Sequence, residues 1–341
     1  MRDRLVALAA MCLAGAAALA APPEPSPRGA SSVPAPAASL AAEPASPPPA
    51  LPEGNAGLAA RYPGDVGIAK APAVLFADGF EGAAAPEDLA RTWDAVYHAH
   101  CTRIAEEPEN VHAGRRALEF RVPRQAAALH NTAAKQFKDE QDVVFLRFYS
   151  KLEKGFDMAG GGYHTGGTIS AHYFTDGQAS AGVRADGRNK FLAGFESERQ
   201  NRHTPSPGPL NVYCYHPEQR DVWGDHFFPT GTVVPFSSRP HPFGPHFVAR
   251  PDVAPALDRW YCYEFMVKAN TVGRRDGRIA CWVDGKMIAD FTNLRLRDVA
   301  DLKINWAAVD LHIKSSPIRQ NKKYYDDVVI ATSYIGPVKN E

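Results

Sequence analysis

Along residues 260–268 the side chains alternate with a period of two. Tyr261, Tyr263, Phe265 and Val267 fall on one side, Cys262, Glu264, Met266 and Lys268 on the other. Successive side chains of an extended chain point to opposite faces, so this spacing predicts a strand with one face on a core. A loop rich in Gly and charge, 270–277, then turns the chain, and a second strand at 278–283 runs into Asp284-Gly285. These two residue types tolerate the positive φ that both central positions of a two-residue hairpin need, which predicts a third antiparallel strand.

The same alternation recurs twice. At 143–152 it sets Leu146, Phe148 and Leu152 against Phe145, Arg147, Tyr149 and Lys151. At 302–314 it sets Ala307, Val309, Leu311 and Ile313 against Trp306, Asp310, His312 and Lys314. Further strands are predicted at 74–80, 117–122, 168–174, 180–184, 191–195, 210–216 and 324–332, and a short polar helical turn at 294–301. The stretch 222–258 carries Pro, Gly, Phe and His without a period and reads as a functional loop or a cover over an open sheet edge. Many short strands with closely spaced turns and almost no helical period predict an all-β fold, an antiparallel two-sheet β-sandwich or jelly roll over 74–338.

Composition changes the picture mainly at the N-terminus. Residues 1–20 begin with Arg2 and Arg4, continue through an Ala/Leu-rich run and end in Ala18-Leu19-Ala20, the pattern of a Sec signal peptide. A secreted or periplasmic location follows. Residues 21–63 are Ala, Pro, Ser and Glu with few large apolar side chains, which predicts a disordered tether. No other run approaches the ~18 apolar residues that span a bilayer, so no transmembrane segment is expected. Lys plus Arg number 38 and Asp plus Glu 38, a balance that gives no support for nucleic acid as a partner; a monomer is expected. Cys101, Cys214, Cys262 and Cys281 could oxidise in an exported chain, with three pairings open.

The run Asn270 to Phe291, NTVGRRDGRIACWVDGKMIADF, resembles the strand-loop-strand signature of polysaccharide lyases of the alginate- and glucuronan-lyase type. Three more stretches resemble the same family in the same order. They are FLRFYSKLEKGFD followed by GGGYHTGG, then GVRADGRNKF, then YYDDVVIATSYIGP. The resemblance implies a concanavalin A-like jelly roll and an anionic polysaccharide, rich in uronic acid, as substrate. It departs at one place: such lyases commonly read Gly-Gly-Lys in the Gly-rich loop, where this chain has Gly161-Gly162 followed by Tyr163 and His164.

A lyase of this type neutralises the carboxylate beside C5, removes the C5 proton and protonates the leaving glycosidic oxygen. Arg, Lys, Asn or Gln suit the first task, and His, Tyr or Lys the other two. The polar strand faces therefore nominate Arg147, Tyr149, His172, His312 and Lys268 as catalytic, and His164, Tyr213, Glu264, Trp306 and Lys314 as substrate-binding. Arg147, Tyr149 and His312 are expected to share one sheet face with Glu264 and Lys268. No cofactor is expected for the reaction. A structural calcium is expected at Glu81 and Asp327, beside Asp78 and Asp326, if the first and last strands pair. The chain has no Glu-x-Asp-x-x-Glu arrangement and no Gly-x-Ser-x-Gly elbow, which disfavours a retaining glycosidase and a serine hydrolase. The alternative to an enzyme is a non-catalytic, lectin-like carbohydrate-binding protein.

Overall fold

The computed structural model describes residues 46–158, 162–198, 204–234, 243–316 and 319–339, with the backbone alone at 162 and 163. The predicted signal peptide, residues 21–45 of the predicted tether, Gly161 and the Tyr163 side chain lie outside them. The strands in chain order are β1 (Val74–Asp78), β2 (Ala95–Tyr97), β3 (Thr102–Ala105), β4 (Ala117–Val122), β5 (Leu129–Gln141), β6 (Val143–Leu152), β7 (Gly162–His164) and β8 (Gly167–Ala171). They continue with β9 (Phe191–Ser197), β10 (Leu210–Tyr215), β11 (Asp225–Phe227), β12 (Val233–Val234), β13 (Tyr261–Lys268), β14 (Gly277–Val283), β15 (Lys286–Leu294), β16 (Ile304–Ile313) and β17 (Asn321–Ala331).

All pairings are antiparallel, in two sheets that form the predicted sandwich. The eight-stranded sheet runs β15-β14-β13-β6-β17-β4-β3, with β1 added on β17. The nine-stranded sheet runs β12-β11-β10-β9-β8-β16-β5-β2, with β7 added on β16. The hairpin between β14 and β15 turns at Asp284 and Gly285, with φ of 50° and 75°. That positive pair matches the right-handed twist of the flanking strands. Between the sheets lies one core, to which β6 contributes Leu146 and Phe148, β13 Phe265 and Val267, β9 Phe195, and β16 Val309 and Leu311. In β6, β13 and β16 the alternation had placed these apolar residues on one side.

Several local expectations need correction. Residues 180–184 form a turn rather than a strand, and 294–301 form no helix, because β15 runs to Leu294 and bends follow. The strands β2, β3 and β5 were not predicted; β5 reads LHNTAAKQFKDEQ, too polar to stand out as apolar alternation. The four cysteines are free and buried. Cys281 pairs in register with Phe265 and joins the core, whereas Cys262 has the opposite parity and faces outward, so these neighbours on adjacent strands do not meet.

The predicted tether also differs. Residues from Pro49 onward lie on the outer face of the eight-stranded sheet, where Leu58, Ala59 and Ile68 pack with Phe145, Met266, Ala280 and Trp282. Pro-rich backbone offers carbonyls that no helix or ladder consumes, and the sheet supplies donors to them. Arg278 donates to the Pro49 carbonyl at 2.7 Å and the Trp282 indole to that of Pro52 at 3.0 Å. The chain's end closes over the same face, through Tyr334, Ile335 and Gly336. One outer face is thereby covered and the outer face of the nine-stranded sheet is left to line a groove. Among the described residues no helix is long and apolar enough to cross a membrane.

Candidate functional site

The groove on the nine-stranded sheet has a volume of about 710 Å³, within the usual range for a ligand site. Register explains its shape. One row across the sheet pairs His226 of β11 with Tyr213 of β10, Tyr213 with Gly194 of β9, Gly194 with Thr168 of β8, and Thr168 with Ala308 of β16. Three small residues in the middle make a low floor between taller walls. At Gly194 a Cβ would meet the Glu196 carboxylate at 3.4 Å, so the floor has little room for a side chain.

On one wall His312 pairs in register with His130 of β5 and with His164 of β7. The rings of His312 and His130 stack at 4.6 Å, and His164 lies 5.7 Å from His312. Beneath them sits buried Asp310. Its Oδ1 lies 3.1 Å from His130 Nε2 and accepts from Thr132 Oγ1 at 2.6 Å, while its Oδ2 accepts from Thr168 Oγ1 at 2.7 Å. Burial opposes ionisation of Asp310, but these hydrogen bonds and the His130 charge outweigh it and lower its pKa. Burial, then the neighbouring His130 and His164, push His312 down to about 2, so it is neutral at ordinary pH.

On the other wall the His164 and Tyr213 rings are 5.1 Å apart, and Tyr213 lies 4.8 Å from His226. The Tyr213 hydroxyl accepts the Gly224 N–H at 3.0 Å. Burial, then Tyr215, raise its pKa, which keeps the phenol protonated. His164 Nδ1 meets Glu196 Oε2 at 2.9 Å. Burial lowers the pKa of His164 and raises that of Glu196 well above the carboxylate range, which favours the neutral form of both. Burial, then the neighbouring Glu196 carboxyl, push Glu198 up to about 8. Trp223, 53% exposed, and Phe174 add apolar surface at the rim.

The structure thus brings together His164, Tyr213 and His312 from the sequence-derived set. The expectation that His312 shares a face with Arg147, Tyr149, Glu264 and Lys268 is corrected: those four are on β6 and β13 of the other sheet. Arg147 is fully buried there, donating to Asp65 and, at 2.9 Å, to the Asp327 carbonyl. Tyr149 stacks on His112 at 3.7 Å and accepts the Val338 N–H at 2.9 Å. Glu264 accepts the Ile335 and Gly336 N–H groups, each at 2.8 Å, and Lys268 donates to the Asp276 carbonyl at 3.2 Å. Apart from that of Lys268, which stays within the turn between β13 and β14, these contacts hold segments that pack over that sheet.

Three more residues of the set lie beside the groove without lining it. His172 holds Glu140 at 2.9 Å, Trp306 is buried and stacks on Phe174 at 4.6 Å, and exposed Lys314 follows the end of β16. At the predicted calcium site β1 does pair with β17. There, however, Glu81 accepts the Arg115 and Arg116 N–H groups at 2.7 and 2.8 Å, and Asp327 meets His112 Nδ1 at 2.7 Å. Among the described residues the group of His, Cys, Asp and Glu donors close enough to share one ion is Glu196, Glu198 and His226.

Sequence reasoning missed His130, Glu196, Glu198 and His226 as site residues. Two of them carried a usable signal: Leu192, Gly194, Glu196 and Glu198 continue one parity past the predicted end of their strand at 195. His130 had none, because its strand was not recognised.

No family model matches the chain, and no curated protein does. Solved structures do match. The fold is similar to that of the marine alginate lyase from Aplysia kurodai, with a TM-score of 0.53 and 14% identity over 77% of this chain and 100% of that one. It is also similar to the alginate lyase vAL-1 from Chlorella virus, with a TM-score of 0.52 and 18% identity over 76% of this chain and 100% of that one. A third, the alginate lyase Aly36B, gives 0.52 and 16% over 76% and 93%. At these identities the likeness is one of fold.

Proposed function

We propose that the protein is an exported polysaccharide lyase that cleaves a uronic-acid-containing polymer by β-elimination in the groove of the nine-stranded sheet. The observation that carries this reading is the convergence of His164, Tyr213 and His312 on one sugar-sized groove, on a fold shared with solved alginate lyases. The N-terminal signal-peptide pattern supports export.

Elimination needs a base for the C5 proton and an acid for the leaving oxygen. His164, neutral through its burial and oriented by Glu196, suits the base. Tyr213, held protonated and 5.1 Å from His164 between ring centres, suits the acid. The His130 and His312 rings offer N–H donors to the uronate. Hydrolysis is a weaker reading even though Glu196 and Glu198 are neighbours, because Glu196 is 2% exposed and cannot flank a bound glycosidic bond.

The test is incubation of the full chain with a panel of uronic-acid polymers and neutral glucans, following the ultraviolet absorbance of the unsaturated uronate. Product is expected from at least one uronate polymer and none from neutral glucans. Tyr213→Phe and His164→Ala should each cut turnover by at least ~100-fold while sugar binding survives. Binding without unsaturated product on any polymer would identify a carbohydrate-binding protein, and new reducing ends without unsaturation would identify a hydrolase.

A further inference from the structure

The groove's inner wall carries a feature that proton transfer leaves unexplained. Glu196 is 98% buried by its 2% exposure, yet its Oε1 has no hydrogen-bond partner among the described residues. A buried carboxylate oxygen left unsatisfied keeps its desolvation penalty uncompensated, so an unpaired one calls for an occupant. That oxygen points at a cluster. It lies 3.9 Å from His226 Nδ1, which is itself 3.1 Å from Glu198 Oε2. One donor atom from each of the three residues lies within 4.8 Å of the others, close enough for a single ion to touch all three.

We propose that Glu196, Glu198 and His226 bind one divalent transition-metal cation of the zinc or manganese class. The strands preset the site: Glu196 is the penultimate residue of β9, Glu198 follows it by two residues with the same parity, and His226 stands two strands away on β11. Asn211 of β10 lies between them, with its Oδ1 2.8 Å from His226 Nδ1. Without metal that amide oxygen accepts the Nδ1 proton; with metal on Nδ1 the proton would sit on Nε2 instead, and the amide would be a neighbouring oxygen donor. Two carboxylates and a neutral imidazole carry a charge of −2, which a divalent ion cancels.

The donor set also selects the ion. Calcium takes six to eight oxygens, and magnesium keeps mostly water. Two carboxylates with one imidazole and an open position are the kind of set that holds zinc, and imidazole with carboxylate also suits manganese.

The ion's part in the reaction rests on the lyase reading; its binding does not. Glu198 and His226 line the groove and Glu196 lies behind them, so the open position faces substrate. No Lys or Arg lines the groove among the described residues, and the cation would take over neutralising the uronate carboxylate. Glu196 would then bind the ion through Oε1 and accept the Nδ1 proton of His164 through Oε2, leaving His164 Nε2 free to act as base. This departs from the sequence-derived expectation of a reaction without metal.

The experiment uses the untagged full chain, stripped with a chelator and titrated calorimetrically with zinc chloride and manganese chloride, with calcium chloride as comparator. Bound metal is then counted after gel filtration. One equivalent of zinc or manganese is expected, with a rise in melting temperature. Glu198→Gln and His226→Gln, checked for fold by circular dichroism, should each weaken binding by at least ~100-fold. The site is overturned if the wild type shows no saturable zinc or manganese binding, if both folded variants bind as the wild type does, or if calcium binds tighter than either. Metal binding without any unsaturated product would keep the site and defeat the lyase reading. Product formation by a chain that binds no metal would do the reverse.

Discussion

Arg147 separates a structural role from a chemical one. Its guanidinium is wholly buried on the covered face of the eight-stranded sheet. There it donates to the Asp65 carboxylate, the Asp327 carbonyl and, at 3.4 Å, the Gly336 carbonyl. It therefore pins both covering segments. Replacing it with Met keeps much of the volume but leaves the carboxylate of Asp65, whose side chain is only 12% exposed, beside an apolar group. Removing one partner of a buried ion pair costs about 3–5 kcal/mol. For a domain of this size each kcal/mol lowers Tm by roughly 2–4 °C, so Arg147→Met should melt on the order of 10 °C lower. Asp65 has a φ of 58°, a conformation that Asn tolerates. The double variant Arg147→Met/Asp65→Asn should recover most of the loss, giving a coupling of about 2 kcal/mol or more in a double-mutant cycle by urea denaturation. Turnover measured well below the melting point should stay within a few-fold of the wild type. A variant with unchanged Tm and abolished turnover would refute this reasoning and return Arg147 to the chemistry.

Three further outcomes are expected. Trp223→Ala, which removes an exposed ring at the groove's rim, should raise KM for oligosaccharide by about tenfold with little change in kcat, since a stacking platform contributes about 1 kcal/mol beyond its buried area; an unchanged KM would remove Trp223 from the site. Burial pushes the Glu264 carboxyl up to about 7, against the hydrogen bonds of Ile335 and Gly336. The folded state then binds more protons than the unfolded one between about pH 4.5 and 7. Stability from this group is thus full below that window, falls by roughly 3 kcal/mol as pH rises through it and is level above. Denaturant midpoints across the window should show the slope in the wild type and not in Glu264→Gln, and equal slopes would refute the assignment. Finally, a chain starting at residue 46 should melt like the full chain. One starting at residue 71 exposes Phe145, Met266 and Trp282 and should unfold or aggregate; equal melting of the two would restore the tether reading of 46–63.

The sequence by itself determined the class of fold and the parity of the main strands. In β6, β13 and β16 most residues of one parity are apolar, and because a one-residue slip would turn the whole set to solvent, that pattern states which side chains face a core. It therefore placed His312 outward on β16 and Arg147 outward on β6, both correctly. Parity is local, however, and each sheet of a sandwich has its own outer face. Strand order puts β6 and β13 in one sheet and β16, β10 and β9 in the other, so side chains with the same parity came to lie on opposite sides of the molecule. Polar strands were opaque for the same reason: β5 contributes His130 but has too little apolar contrast to register as a strand. The tertiary structure also decided which outer face would be open. Pro49 and Pro52 offer carbonyls to Arg278 and Trp282, and Leu58 and Ile68 fill the surface around Trp282. That cover turns Arg147, Glu264 and Tyr149 into internal ties and leaves His164, Tyr213 and His312 facing the groove. Composition alone read the covering segment as a tether, because its binding depends less on its own apolar content than on donors and apolar surface supplied by strands more than two hundred residues later in the chain.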